Sequence, residues 1–202
     1  MCYPCSQSKR RVGVELSRPS LPAVPEHVRL EARPFTNQQG LKLQTFRCSL
    51  HAPVKGVVWL CHGYGSHSIF EWFRCSVPGG AHDCWSGCFL AGLVDAGFMC
   101  GMVDMQSHGS SEGVRDLRCY FEEFDHLPRD CLAGLNELLK EVELATVPVF
   151  VLGVSMGGAV AVRMAQMQPE LFQGAVLLSP MLSLEKLKKQ KLFGCVKNGD
   201  LE

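Results

Sequence analysis

"VFVLGVSMGGAV", residues 149–160, decides the fold. Its first half is a short continuous apolar run, the pattern of a strand buried on both faces. Its second half opens "MGGAVAVRMAQMQ", a helical stretch that Pro169 stops. Ser155 sits at the crossover, flanked by Gly153 and Gly157. A serine on so sharp a strand-to-helix turn takes a strained backbone conformation, and the residues two before and two after must be small to clear it. The GxSxG pattern therefore reads as a nucleophile elbow; a tight turn that merely holds a serine is the plain alternative.

Working outward, "HVRLEARPF" (27–35), "LKLQTFRCSL" (41–50), "VVWLC" (57–61), "FMCGMVD" (98–104) and "GAVLLSP" (174–180) read as further strands. Residues 62–80 are glycine-rich and read as irregular. "DCWSGCFLAGLVDAG" (83–97) has helical spacing at Trp85, Phe89 and Leu93 and stops at Gly97. Residues 120–142 line up Phe121, Phe124, Leu127, Cys131, Leu135 and Leu138 on one helical face, with Pro128 marking a break or a start. Strands alternating with helices imply an α/β fold: an open, mostly parallel sheet with helices on both faces. We expect a flexible leader over 1–25, a partial core over 26–183 and a basic, disordered tail over 184–202.

The charge balance, 20 basic against 20 acidic residues, gives no reason to expect nucleic acid as a partner. Eleven cysteines, odd in number and several inside apolar runs, fit buried reduced thiols in a cytoplasmic protein. "CYPC" (2–5) has redox spacing, but no strand precedes it and no second ligand pair follows. Cys2 and Cys5 beside Lys9, Arg10 and Arg11 leave open acylation and peripheral membrane contact, against the plainer flexible leader. There is no HExxH and no phosphate-binding glycine loop, so no metal and no cofactor are expected.

At the elbow, the N-terminus of the following helix aims its unpaired amides at the serine. The backbone N–H of Met156 is one candidate oxyanion donor. "WLCHGYGSHS" (59–68) supplies an HGxG, His62–Gly65, at the place where the second donor is expected; the Tyr64 N–H is the candidate, with a plain turn as the alternative.

"WLCHGYGSHS", "GMVDMQSHGSSEG", "VPVFVLGVSMGGAVAV" and "GAVLLSP" resemble, in order and spacing, the monoacylglycerol lipase and lysophospholipase group of α/β-hydrolases. The resemblance runs from about His27 to Pro180. Ser107 stands where that group's D-x-x-G-H-G loop has glycine, and Val154 precedes the nucleophile where His or Glu is usual. The resemblance implies hydrolysis of a lipid ester through an acyl-enzyme at Ser155.

It also implies a triad whose Asp and His follow the serine in the chain. All seven histidines precede Ser155, and the 22 residues after Pro180 hold no histidine. His62 and His108 match loop-positioning residues; His108 and His67 are the least poor surrogate bases. His126 reads as a satisfied, half-buried histidine. The resemblance places two further strands and a lid beyond Pro180, so the sequence reads as truncated at its C-terminus, with an open edge suited to self-association. A catalytically impaired binding or regulatory remnant is therefore the alternative to an esterase. An acyltransferase or peptidase on the same fold is a third reading.

Overall fold

A strand with no polar residue has to be covered on both faces and paired on both edges. "GVVWLC" meets that demand in the computed structural model, which describes residues 20–142 and 147–183. The strands are β1 (Val28–Thr36), β2 (Lys42–Leu50), β3 (Gly56–Cys61), β4 (Phe98–Val103), β5 (Val149–Val154) and β6 (Gly174–Leu178). The helices are α1 (Ser68–Trp72), α2 (Phe89–Asp95), α3 (His126–Leu139) and α4 (Met156–Met167). The sheet order is β1-β2-β4-β3-β5-β6. β1, β2 and β4 pair antiparallel; β4, β3, β5 and β6 run parallel. This is the α/β-hydrolase fold. Of the leader expected over 1–25, residues 1–19 lie outside the described ones, as does the tail, 184–202; Leu21 and Val24, in its described part, pack against the core.

β3 at the centre is buried at every position. One face of the sheet packs Val57, Trp59, Val149 and Val151 under α3 and α4, through Leu135, Leu138, Val160 and Met164. The other packs Val58, Leu60, Cys100 and Leu152 under α1 and α2, through Trp72, Leu90 and Val94. Trp59 fits because Gly101 and Gly134 leave room for its ring: a Cβ on Gly101 would lie 2.6 Å from it. The cysteines behave as small apolar residues. Cys48, Cys61, Cys88, Cys100 and Cys131 are free and buried, and burial pushes the Cys48 thiol up to about 12.

Three local expectations change. Residues 62–80 are not wholly irregular, because α1 forms there, capped by the His67 ring accepting the Phe70 N–H. The helix expected over 83–97 narrows to α2, and its buried face is Leu90, Ala91 and Val94 while Phe89 is exposed. Residues before Phe89 are held elsewhere: Arg74 and Cys84 exchange backbone hydrogen bonds, and Gly87 adopts φ +69°. The face expected from Phe121 becomes helical only at His126, with Pro128 in the first turn, where a missing N–H costs no intrahelical bond.

β6 ends the sheet. Val176 and Leu178 are 51% and 42% exposed on it. Among the described residues no helix is long and apolar enough to cross a membrane.

Candidate active site at the β5–α4 crossover

Ser155 caps α4 with φ 53° and ψ −117°, a backbone conformation that a non-glycine residue holds only when its surroundings over-determine it. The surroundings are tight. A Cβ on Gly153 would fall 2.1 Å from the Gly157 carbonyl oxygen, and one on Gly157 would fall 2.1 Å from that of Cys61. One on Gly158 would fall 2.7 Å from Pro180 Cβ. All three positions exclude any side chain, which is why the sequence is small around the serine. The Ser155 N–H donates to the Leu178 carbonyl at 3.0 Å, and its own carbonyl accepts the Met181 N–H at 2.9 Å. The elbow is thus tied to the end of β6. The serine itself is half-buried. Met156 is buried as the first residue of α4, where a backbone N–H has no intrahelical acceptor.

β3 delivers the second loop alongside. Its parallel register with β5 sets Cys61 opposite Gly153, so both chains leave the sheet at the same level. A Cβ on Gly63 would lie 3.6 Å from Ser155 Cβ. His62 is fully buried and holds this loop by both ring nitrogens. Nε2 accepts the Met105 N–H at 3.0 Å, so Nδ1 carries the proton and donates to the Gly63 carbonyl at 2.8 Å. Burial drives the ring's pKa down to about 3, which keeps it neutral. The Gly63 carbonyl and the Tyr64 N–H share one trans peptide and point in opposite directions. With the carbonyl pinned inward on His62, the Tyr64 N–H is directed away from that ring. The Tyr64 side chain is exposed, and its hydroxyl donates to the Cys119 carbonyl at 3.0 Å.

The loop after β4 supports this arrangement. Asp104 is buried and accepts the N–H groups of Ser68 and Ser110, each at 2.8 Å. A Cβ on Gly109 would strike that carboxylate at 2.1 Å. Ser107, in the place of a glycine, adopts φ 67°. Its hydroxyl donates to the Tyr120 carbonyl at 2.5 Å, a local bond that holds it in this left-handed conformation.

Among the described residues none of the histidines considered as a base is hydrogen-bonded to the serine. His108 is buried with Nδ1 on the Gln106 carbonyl and Nε2 without a partner, and burial lowers its pKa. His67 is occupied in capping α1. His126 lies 3.6 Å from Glu123, but its Nδ1 is buried without a partner, so it is not the fully satisfied histidine expected. Among the described residues the Ser155 hydroxyl has no hydrogen-bond partner. Nor do they include a group of three or more metal-ligating side chains.

One neighbour of the site carries no signal in the sequence. The Gly63 N–H donates to Glu71 Oε2 at 3.2 Å, from within α1. Eight positions separate the two residues, no motif joins them, and the helix that brings them together reads as loop.

The profile of the family described as serine aminopeptidase, S33, matches residues 78–197. Caffeoylshikimate esterase of Arabidopsis thaliana is 26% identical over 144 residues, covering 70% of this chain and 38% of its own length. Monoglyceride lipase of Rattus norvegicus is 40% identical over 79 residues, covering 39% of this chain and 24% of the lipase. The chain therefore spans less than half the length of these relatives. Among solved structures, a soluble variant of monoglyceride lipase from Saccharomyces cerevisiae superposes with a TM-score of 0.60 at 19% identity, covering 87% of this chain and 50% of that one. An esterase of Pyrococcus furiosus gives 0.58 at 20% identity, over 84% and 56%. With the GxSxG crossover on β5 and the family profile spanning it, this chain belongs to the serine aminopeptidase S33 family of α/β-hydrolases.

Proposed function

We propose that this chain carries the nucleophile and oxyanion loop of a serine hydrolase that cleaves carboxylic esters of lipids, of the monoacylglycerol or lysophospholipid type. One observation carries the reading: Ser155, half-buried, is held at φ 53° directly beside the HGxG loop. In this reading Ser155 Oγ attacks the ester carbonyl. The N–H groups of Tyr64 and Met156 receive the oxyanion. The tetrahedral adduct expels the alcohol and leaves an acyl-enzyme that water then hydrolyses. The likeness to monoglyceride lipase over 79 residues supports the lipid substrate. The reading needs no cofactor. Free, buried cysteines support a cytoplasmic setting.

The general base is the deciding element. Loss of the triad histidine costs a serine hydrolase about a million-fold in turnover. A second reading, a weakly active remnant that binds acyl chains or pairs through β6, is supported by the exposed Val176 and Leu178 of that strand. A fluorophosphonate probe separates the two. Labelling of the folded chain that vanishes in Ser155→Ala supports the hydrolase. Absence of labelling in a chain folded by circular dichroism rejects the hydrolase for this chain and leaves the remnant.

A further inference from the structure

We infer that Glu71 is a positioning residue of the oxyanion loop. The inference rests on the hydrolase reading of Tyr64, and the experiment below is decided separately from it. Gly63 stands between the nucleophile and this carboxylate: a Cβ placed on it would lie 3.6 Å from Ser155 Cβ and 3.5 Å from Glu71 Oε2. Both of its backbone groups are held by side chains. The carbonyl accepts from His62 Nδ1 at 2.8 Å, and the N–H donates to Glu71 at 3.2 Å. The two bonds act on successive peptide planes. His62 fixes the plane shared by Gly63 and Tyr64; Glu71 fixes the one before it. Glycine has the widest choice of φ and ψ, so a loop built on it needs such restraint to keep one geometry.

In the reading above, the loop's donor to an oxyanion is the Tyr64 N–H, one residue beyond the amide that Glu71 holds. α1 can hold the carboxylate there because the helix is anchored at both ends: Trp72 is buried under the sheet, and the Ser68 N–H is bonded to Asp104 at 2.8 Å. A charged acceptor makes the stronger hydrogen bond, as fits a restraint on a glycine with wide backbone freedom.

The test is amide hydrogen exchange at Gly63, followed by NMR on the isotope-labelled full chain. Glu71→Ala is expected to speed Gly63 exchange about ten-fold, the worth of one hydrogen bond to a charged acceptor. Glu71→Gln, whose amide oxygen also accepts, restores most of the protection. Glu71→Asp keeps the charge but loses the reach, and is expected to resemble the alanine variant. Unchanged exchange in the alanine variant overturns the assignment, as does a glutamine variant no better protected than alanine. If the alanine chain does not fold, the glutamine and aspartate chains decide alone: protection in the first and not in the second upholds Glu71, and the reverse order sinks it. Fluorophosphonate labelling is read in parallel. A wild-type chain that is protected at Gly63 but never labelled removes the hydrolase reading and leaves the Glu71 restraint in place. A labelled chain is expected to slow in Glu71→Ala and recover in Glu71→Gln.

Discussion

Gly157 packs against the carbonyl of Cys61 so closely that a single added methyl would sit 2.1 Å from its oxygen. The obstacle is backbone, which cannot rotate aside. Gly157→Ala is therefore expected to cost several kcal/mol, about 3 or more, at the high end for point substitutions. Urea denaturation followed by circular dichroism checks it. Gly92→Ala is the control, because nothing lies within 4 Å of a Cβ there. A Gly157→Ala chain as stable as wild type would mean that β3 and α4 are not so apposed.

Ser155 holds φ 53° at a cost of about 1–3 kcal/mol, the usual price of such a conformation outside glycine. Ser155→Gly is expected to raise the unfolding midpoint while abolishing reaction with the probe. Ser155→Ala also loses the reaction, but it keeps the Cβ and so gains little stability. The comparison of the two midpoints isolates backbone strain from the loss of the hydroxyl.

Ser107 poses the same question with a different answer. It too holds a left-handed φ, 67°, but its hydroxyl is bonded to the Tyr120 carbonyl. Ser107→Gly trades relief of the strain against that bond. We expect a net change within about 1 kcal/mol by chemical denaturation, since a hydrogen bond contributes a similar amount.

The pH dependence turns on three buried groups, two histidines of one sign and an aspartate of the other. His62 has its pKa driven by burial from 6.5 to about 3, so the unfolded chain binds the proton first. The stability that this provides is complete above 6.5 and is lost as pH falls toward 3. His108, also lowered by burial, acts in the same direction. Asp130 is buried against Gln106 and Asn37, and burial raises its pKa from 3.8 to about 6. Its contribution is present below 3.8 and is lost as pH rises through 6, on the order of 3 kcal/mol. Asp130 thus offsets the histidines in mild acid. Asp130→Asn is expected to make stability fall more steeply between pH 6 and 4 than in wild type, measured by urea midpoints across that range. Parallel curves for the two chains would contradict this.

The sheet was legible in the sequence because its strands carry period-two or continuous apolar patterns, and the elbow because glycines bracket one serine. Tyr64 and Met156 could be named as candidates because each follows a recognisable strand end. Glu71 could not. Its place depends on α1, a single turn of helix whose start is marked by a histidine ring rather than by a serine or aspartate cap. The same holds for α2, where helical spacing extends back to Trp85 but the Arg74–Cys84 pairing claims that stretch. Short elements governed by tertiary contacts leave little trace in local pattern.

β6 presents Val176 and Leu178 at the end of the sheet with no charged residue in the strand. Should this edge pair with a second copy as proposed, Val176→Lys is expected to lower that association, read by light scattering against concentration, because an edge lysine opposes strand addition. Equal scattering by the two chains would show that this edge does not mediate it.

The sheet order places β3 between β4 and β5, although β5 follows β3 by almost ninety residues in the chain. During synthesis the strand that is buried at every position therefore emerges long before one of its two neighbours exists. At ribosomal speeds of about 5–20 residues per second the wait is roughly 5–20 s. Over that interval the flank of β3 reserved for β5 is open to any other chain, so this protein's yield in a cell should depend on how well a chaperone shields its first hundred and fifty residues.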